Sequence, residues 1–234
     1  MDIETTPHLG YFWGLWDQNI GIDMIVEPSR VLCVSAKWVG EPTMWDKGEA
    51  GLRLAWDCLD AADAVVHYNG ERFDVKRLNQ EFALREWGLP APFKNIDLMK
   101  TAKARFDLPS NKLAYVARFF GVGVKGETGG FETWKGCMAD DAKAWKKMEK
   151  YNRQDVTLTE QLYDRLLPYI PNHPNRNLYG DSGCPVCATE TVLQRRGYYY
   201  TKGGQFVKYQ CQKCMQYFRS TSRVAGTSVT EAIR

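Results

Sequence analysis

No stretch of this chain approaches the roughly 18 consecutive apolar residues that cross a bilayer. The N-terminus lacks the basic, then apolar, then small-residue order of a secretory leader. No internal repeat and no low-complexity tract is visible. These absences argue against a membrane partner and point to the cytosol or an equivalent reducing compartment (the host cytoplasm for a viral chain). Apolar content of 44% and charged content of 25% are those of an ordinary soluble globular protein. The 234 residues leave room for one sizeable domain and a small one.

Charge is unevenly spread. Residues 176–234 carry nine Lys/Arg against three Asp/Glu, whereas residues 1–175 carry 22 against 25. A short basic module thus follows a longer, slightly acidic body, a balance that suggests a phosphate-seeking partner such as nucleic acid. The cysteine count, seven, is odd. Cys33, Cys58 and Cys137 are scattered and read as small buried hydrophobes. Cys184, Cys187, Cys211 and Cys214 form two C-x-x-C pairs, "CPVC" and "CQKC", separated by residues 188–210. In a reducing setting that spacing points to a four-cysteine zinc ribbon rather than to disulfides; a redox dithiol pair is the competing reading. A module this small cannot bury enough apolar surface to fold alone. One structural Zn2+ makes up the deficit.

The boundary between the two parts is expected in "PYIPNHPNRNLYGDSG", residues 168–183, rich in proline and asparagine. This gives a body over 1–170, a linker over 171–183, a ribbon over 184–220 and a tail over 221–234. Within the body, "RVLCVSAKWVG" (30–40) reads as a strand with "EPTMWDKG" (41–48) as its hairpin partner. "EAGLRLAWDCLDAA" has helical spacing at Leu52, Ala55, Trp56 and Leu59. "DAVVHYN" (63–69) has the length of a buried strand, residues 74–88 a helix closed by glycine, and "NIDLM" (95–99) a short strand. "NKLAYVARFFG" is a further helix, and a long one runs from about Asp140 to Leu167. Segment 8–30 reads as an insertion between the first two strands. Strands in a hairpin, then strands separated by helices, make an α/β sheet flanked by helices.

The long helix carries an anomaly. Its apolar stripe runs Met148, Tyr151, Asp155, Leu158, Leu162, Leu166, in steps of three and four. Asp155 sits where an apolar residue belongs, and a buried carboxylate needs a partner. Taken alone, it could cap a neighbour or pair with an arginine. Asp74, at the start of the predicted helix after "HYNGERFD", reads by itself as a helix cap. Asp2 and Glu4 stand two apart on a predicted strand and so share a face, with Ile3 pointing to the core. Four acids crowded on one surface repel one another, and divalent cations with a taste for hard oxygen ligands relieve that repulsion. His67 reads as a packed histidine; His8 and His173 carry no assignment. Glu160 and Asp97 are further acids near the proposed site.

"DIETTP", "NGERFD" and "YNRQD" resemble the three motifs of the DnaQ-like, or DEDD, 3′–5′ exonucleases on the ribonuclease H-like fold. The resemblance covers about residues 1–167. It implies that Asp2 and Glu4 form the first motif, Asn69, Gly70, Phe73 and Asp74 the second, and Asp155 the third. Tyr151, four residues before Asp155, marks the tyrosine subclass. The implied chemistry uses two Mg2+ or Mn2+ ions. Asp2 would touch both, Glu4 and Asp155 the one that activates water, Asp74 the other, and Tyr151 would orient the attacking water. Asn69 and Phe73 would shape the pocket for the terminal nucleotide, although Phe73 reads first as core. The family's first strand usually has several apolar residues before its aspartate; here only Met1 precedes Asp2, so either the strand is very short or the true start lies upstream, and a truncated strand would leave Asp2 poorly held.

The resemblance to polymerase proofreading domains makes 3′-end or single-stranded DNA the expected substrate, with release of 5′-mononucleotides and with a DNA polymerase or replication protein as a candidate partner. RNA is the alternative substrate, and a catalytically inactive nucleic-acid-binding protein the alternative class. In the ribbon, basic and aromatic residues interleave in "LQRRGYYYTKGGQFVKYQ". Arg195, Arg196 and Lys208 are candidate phosphate contacts and Tyr199 a candidate stacking residue. The competing reading is a β-hairpin whose tyrosines cover a small core.

Overall fold

The computed structural model describes residues 1–17, 19–177, 183–190 and 193–225. The chain divides into two compact units, Met1–Tyr163 and Asp164–Arg234.

In the first unit, β1 (Asp2–Thr5), β4 (Val31–Ala36) and β5 (Met44–Lys47) form an antiparallel sheet in the order β1-β4-β5. All six residues of β4, "VLCVSA", are buried, as expected of a central strand covered on both faces. A second, parallel pair is formed by β6 (Ala64–His67) and β7 (Lys94–Asp97). The two sheets adjoin where the Met1 ammonium donates to the Val66 carbonyl at 3.1 Å. Between β1 and β4 the chain makes the expected excursion, containing β2 (Leu9–Gly10), a 3-10 turn (Ile22–Met24) and β3 (Ile25–Glu27).

Helices pack on both faces. α1 (Gly48–Asp60) and α2 (Asp74–Leu84) cover one, where Leu52, Ala55, Leu59, Leu78 and Phe82 join Ile3 and Val34 in one core. α1 lies very close to β5: a Cβ on Gly51 would stand 2.6 Å from the Asp46 carbonyl oxygen, so only glycine fits there. On the other face, α5 (Phe131–Met138) and α6 (Ala142–Leu166) bring Cys137, Met148 and Tyr151 against Leu32 and Cys33. α3 (Leu98–Arg105) and α4 (Leu113–Phe119) complete the unit.

Several elements depart from expectation. The strand expected over 95–99 stops at Asp97, whose side chain caps α3 by accepting from the Met99 and Lys100 amides. The helix expected to close on Gly88 ends at Leu84. Trp87 folds back to stack on Phe82 at 6.0 Å between ring centres, with the Arg53 guanidinium 3.8 Å above Trp87. That apolar and cation–π contact replaces another helical turn. α3 and α5 have no counterpart in the sequence reading.

The second unit includes β8 (Leu193–Thr201), β9 (Gly204–Cys211) and β10 (Tyr217–Ala225), in the order β10-β9-β8, all antiparallel. It also holds a 3-10 turn (Leu167–Tyr169). β10 runs past the expected ribbon boundary at 220, because it pairs with β9 as far as Ala225. Residues 178–182 of the expected linker and 226–234 of the expected tail lie outside the described residues.

Glu81, buried on α2, accepts the Val31 amide at 2.9 Å and pairs with Arg85 at 2.7 Å. Glu81→Leu leaves the Val31 amide without its acceptor, while Arg85 keeps Glu49 at 2.8 Å. It should lower unfolding free energy by about 2 kcal/mol, read as a shifted urea midpoint at unchanged slope.

Candidate metal and nuclease site

The pleat of β1 sets the site. In the β1–β4 ladder Asp2 pairs with Ser35 and Glu4 with Cys33, while Ile3 pairs with Val34 on the opposite, core face. Asp2 and Glu4 therefore face the same side as α6. There the α6 stripe delivers Asp155, and ligand oxygens of Asp2, Glu4 and Asp155 all lie within 4.8 Å of one another. Asp74 stands at the edge of this trio. The N-cap position of α2 is Phe73; the Asp74 carboxylate accepts the Ile3 amide at 3.1 Å, so it grips β1 from the flank beside Asp2.

Short as the strand is, Asp2 is well held. Buried Asn152 donates to its Oδ2 at 2.7 Å, and the neighbouring Met1 ammonium anchors the strand end on Val66. Sequence reasoning missed Asn152, although it lies inside the "YNRQD" motif, one turn before Asp155. It missed Lys125 altogether. That residue, in the glycine-rich segment 121–130, places its ammonium 2.9 Å from Asp155 Oδ2 and 5.1 Å from the centre of the Tyr151 ring. Tyr151 packs edge-on against Trp134 at 6.4 Å.

The electrostatics show a site loaded with negative charge. Burial, then repulsion from Asp74, Glu4 and Asp155, holds Asp2 well above the usual carboxylate range. Burial and Asp155 push Glu4 up to about 7. Burial lifts Asp74 to about 6 against the Ile3 hydrogen bond and the terminal ammonium. Burial raises Asp155 despite Lys125. Burial also raises the Tyr151 hydroxyl, which disfavours it as a proton acceptor. The second oxygen of Asp155, Oδ1, is buried with no hydrogen-bond partner among the described residues. Clustered hard oxygens, mutual repulsion and an orphaned buried oxygen fit one or more divalent cations.

The remaining candidates divide. His67 is packed as expected: its Nδ1 accepts the Gly70 amide at 3.1 Å and its Nε2 lies 2.9 Å from Asn95 Oδ1. A Cβ on Gly70 would meet the His67 ring at 2.7 Å, so the Asn69–Gly70 turn needs this glycine. Asn69 sits at φ 66° and donates its amide to Asp97. Phe73 is not core: it is 40% exposed, with the Arg77 guanidinium 5.8 Å from its ring centre. Asp97 serves the α3 cap and this turn, and Glu160 pairs with Lys37. The bonds to the Asp97 carboxylate all go to Oδ1, and its Oδ2 is buried with no hydrogen-bond partner among the described residues.

The sequence model of the RNase_H superfamily, RNase_H_2, matches residues 43–167, more than half of the chain. The chain belongs to the RNase H superfamily. Asp74, Tyr151 and Asp155 lie inside the matched span, and Asp2 and Glu4 precede it. No curated protein and no solved structure matched the chain. Membership of the RNase H superfamily identifies the first unit as a metal-dependent nuclease domain in general, with nucleic acid as its substrate.

In the second unit the sulfurs of Cys184, Cys187, Cys211 and Cys214 also lie within 4.8 Å of one another. Cys184–Cys214 is 3.6 Å and Cys187–Cys211 3.7 Å. Those distances are far beyond a disulfide's roughly 2.05 Å. They match the edge of about 3.8 Å for a thiolate tetrahedron with metal–sulfur bonds of about 2.3 Å. The two knuckles are built alike. Ala188 and Met215 donate their amides to the Cys184 and Cys211 carbonyls, at 2.9 and 3.0 Å, and both sit at positive φ. Val186 and Lys213 each donate an amide to the first sulfur of their knuckle at 3.4 Å. Tyr198, Tyr199 and Tyr200 are all exposed, so the small core forms without them. Arg195 and Arg196 are exposed on β8, Arg196 bonding Gln210, and Lys208 is half-buried on β9.

The raised carboxylates predict a pH signature. Stability from a group whose folded pKa is raised is present below its unfolded pKa and is lost as pH climbs through the folded one. Without divalent ions the melting temperature should therefore fall between about pH 5 and pH 8, spanning the shifted Glu4 and Asp74. Glu4→Gln should flatten the fall, and Mg2+ should raise the melting temperature more at pH 8 than at pH 5. Scanning fluorimetry across pH reads all three.

Proposed function

We propose that this RNase H superfamily protein is a 3′–5′ exonuclease of the DnaQ-like, tyrosine-subclass kind, acting on DNA and releasing 5′-mononucleotides. The observation that carries this reading is the convergence of Asp2, Glu4 and Asp155 within 4.8 Å, with Asp74 bonded to the same strand and Tyr151 one turn from Asp155. The four acids would hold two Mg2+ or Mn2+ ions, which when bound neutralise the transferring phosphate and lower the pKa of attacking water. Tyr151, its hydroxyl kept protonated by burial, orients that water by hydrogen bonding and leaves its proton alone. Asn152 fixes the Asp2 carboxylate and Lys125 steadies Asp155. Phe73, exposed near the second motif, is free to meet the terminal nucleotide. The four-cysteine cluster would hold one structural Zn2+, and the exposed Arg195, Arg196 and Tyr199 of β8, with Lys208, would grip nucleic acid.

A degradation assay with 5′-labelled single-stranded DNA and RNA in Mn2+ tests the reading. Laddering from the 3′ end names the substrate, and RNA cleaved in preference to DNA reassigns the protein as an exoribonuclease. Asp155→Asn should lower cleavage by at least about a hundredfold while leaving oligonucleotide binding within about twofold. Retained turnover removes Asp155 from the site. Binding by the wild type without any cleavage favours an inactive nucleic-acid-binding protein.

Cys211→Ser should release zinc and unfold the second unit's sheet, weakening nucleic-acid binding and leaving a slower nuclease. Retention of one equivalent of zinc by the variant, measured by a chromogenic chelator, overturns the four-cysteine assignment.

A further inference from the structure

The excursion between β1 and β4 has no part in the chemistry above, yet it exposes a run of large apolar side chains. Tyr11, Phe12, Trp13, Leu15 and Trp16 are all exposed, Tyr11 at 79% and Trp16 at 83%. Exposed apolar clusters of this kind mark interaction sites. The excursion is built as a finger. Leu9 pairs with Glu27 and Gly10 with Ile25, and Tyr11 donates its amide to Met24. A Cβ on Gly10 would stand 2.6 Å from the Met24 carbonyl oxygen, so the two strands close on a glycine. The base is latched: the Thr6 amide donates to the Arg30 carbonyl, the Arg30 amide to the Thr6 hydroxyl, and the Ser29 hydroxyl to the Thr6 carbonyl, at 2.9, 2.9 and 2.6 Å.

That base is two residues from Glu4. Five residues at full stretch span about 17 Å, which bounds the separation of Leu9 from the acid trio. A shallow trough lined by Thr5, Thr6, Pro7, Gly130, Phe131 and Trp134 lies beside the base. Trp134 in turn packs on Tyr151. Apolar and aromatic side chains therefore lead from Tyr151 through Trp134 and Phe131 to Pro7, at the foot of the finger. Its charge says which part of a strand it meets. From Leu9 to Pro28 there are three acids, Asp17, Asp23 and Glu27, and no lysine or arginine. Phosphates are repelled there, whereas the π-faces of unpaired bases stack on tyrosine, phenylalanine and tryptophan irrespective of sequence.

We infer that residues 9–17 and 19–27 form a base-stacking finger for the single-stranded segment that precedes the 3′ end in the acid site, an inference that rests on the nuclease function proposed above. The finger grips bases through its rings while the phosphates face away from its acids.

The test is fluorescence anisotropy with dye-labelled oligothymidylate and with the same strand carrying abasic spacers in the nucleotides before its 3′ end, without divalent ions so that no cleavage intrudes. The wild type should bind the base-bearing strand about tenfold more tightly than the abasic one. Tyr11→Ala/Trp16→Ala should bind both strands alike, at the wild-type abasic level. Tyr11→Phe/Trp16→Phe should keep the preference, which separates loss of rings from loss of fold. A wild type indifferent to the spacers, or an alanine variant that is unchanged or equally weakened on both strands, overturns the inference. With cleavage intact, such a result makes the finger a protein-docking surface. If the wild type neither binds nor cleaves any strand, it is the nuclease reading that fails.

Discussion

The first unit is organised around the burial of carboxylates beside Asp2. Charges 4.8 Å apart repel by on the order of 3 kcal/mol at an effective dielectric of about 20, and burial adds a desolvation penalty for each. Few chains concentrate that much unfavourable charge without a use for it. Much of the surrounding architecture offsets it. Asn152 donates to Asp2, the Ile3 amide to Asp74, and Lys125 pairs with Asp155. None of these donors supplies more than one positive charge, and Asp155 keeps an oxygen with no partner among the described residues. The protein's own groups thus reduce the repulsion without removing it, which is the condition under which divalent ions bind.

The same constraint explains the rigidity of the scaffold. Ligand oxygens must be positioned to within about 0.5 Å. Here they rest on a four-residue strand and a 25-residue helix. The short strand is stiffened by pairing with β4, buried on both faces, and by Asp74 on its other side. Alternation along β1 puts Ile3 into the α1–α2 core and the two acids under α6. One peptide segment therefore couples apolar packing to the charged site: the energy of burying Ile3 holds Asp2 and Glu4 in place.

The second unit follows a different logic. Its few buried side chains include Cys184, Val186, Phe206 and Cys211, too little apolar surface to order a chain of this length without a staple. Two knuckles of like geometry, each with an amide aimed at sulfur, present four thiols at metal-like spacing. The sheet beyond them is free to expose tyrosine and arginine on β8. Stability drawn from a metal held by those thiols would release the side chains of the strands for contact with a partner.

Sequence periodicity alone determined the α1 and α6 faces, the β4–β5 hairpin, the short buried β6 and the two C-x-x-C pairs, because each depends on residues close together in the chain. Asp155 was conspicuous for the same reason: a helix stripe is a local pattern, and a carboxylate inside it violates the pattern. α3 and α5 were not legible, since their short apolar stretches take helical form only against the sheet. Trp87 ending α2 on Phe82, Phe73 left outside the core, and Asp74 gripping Ile3 were all settled by contacts across the fold. Lys125 is the clearest case. Nothing in its glycine-rich neighbourhood marks it, and only the tertiary structure brings its ammonium to a carboxylate thirty residues away in the chain, because electrostatic pairing acts through space and leaves no period in the sequence.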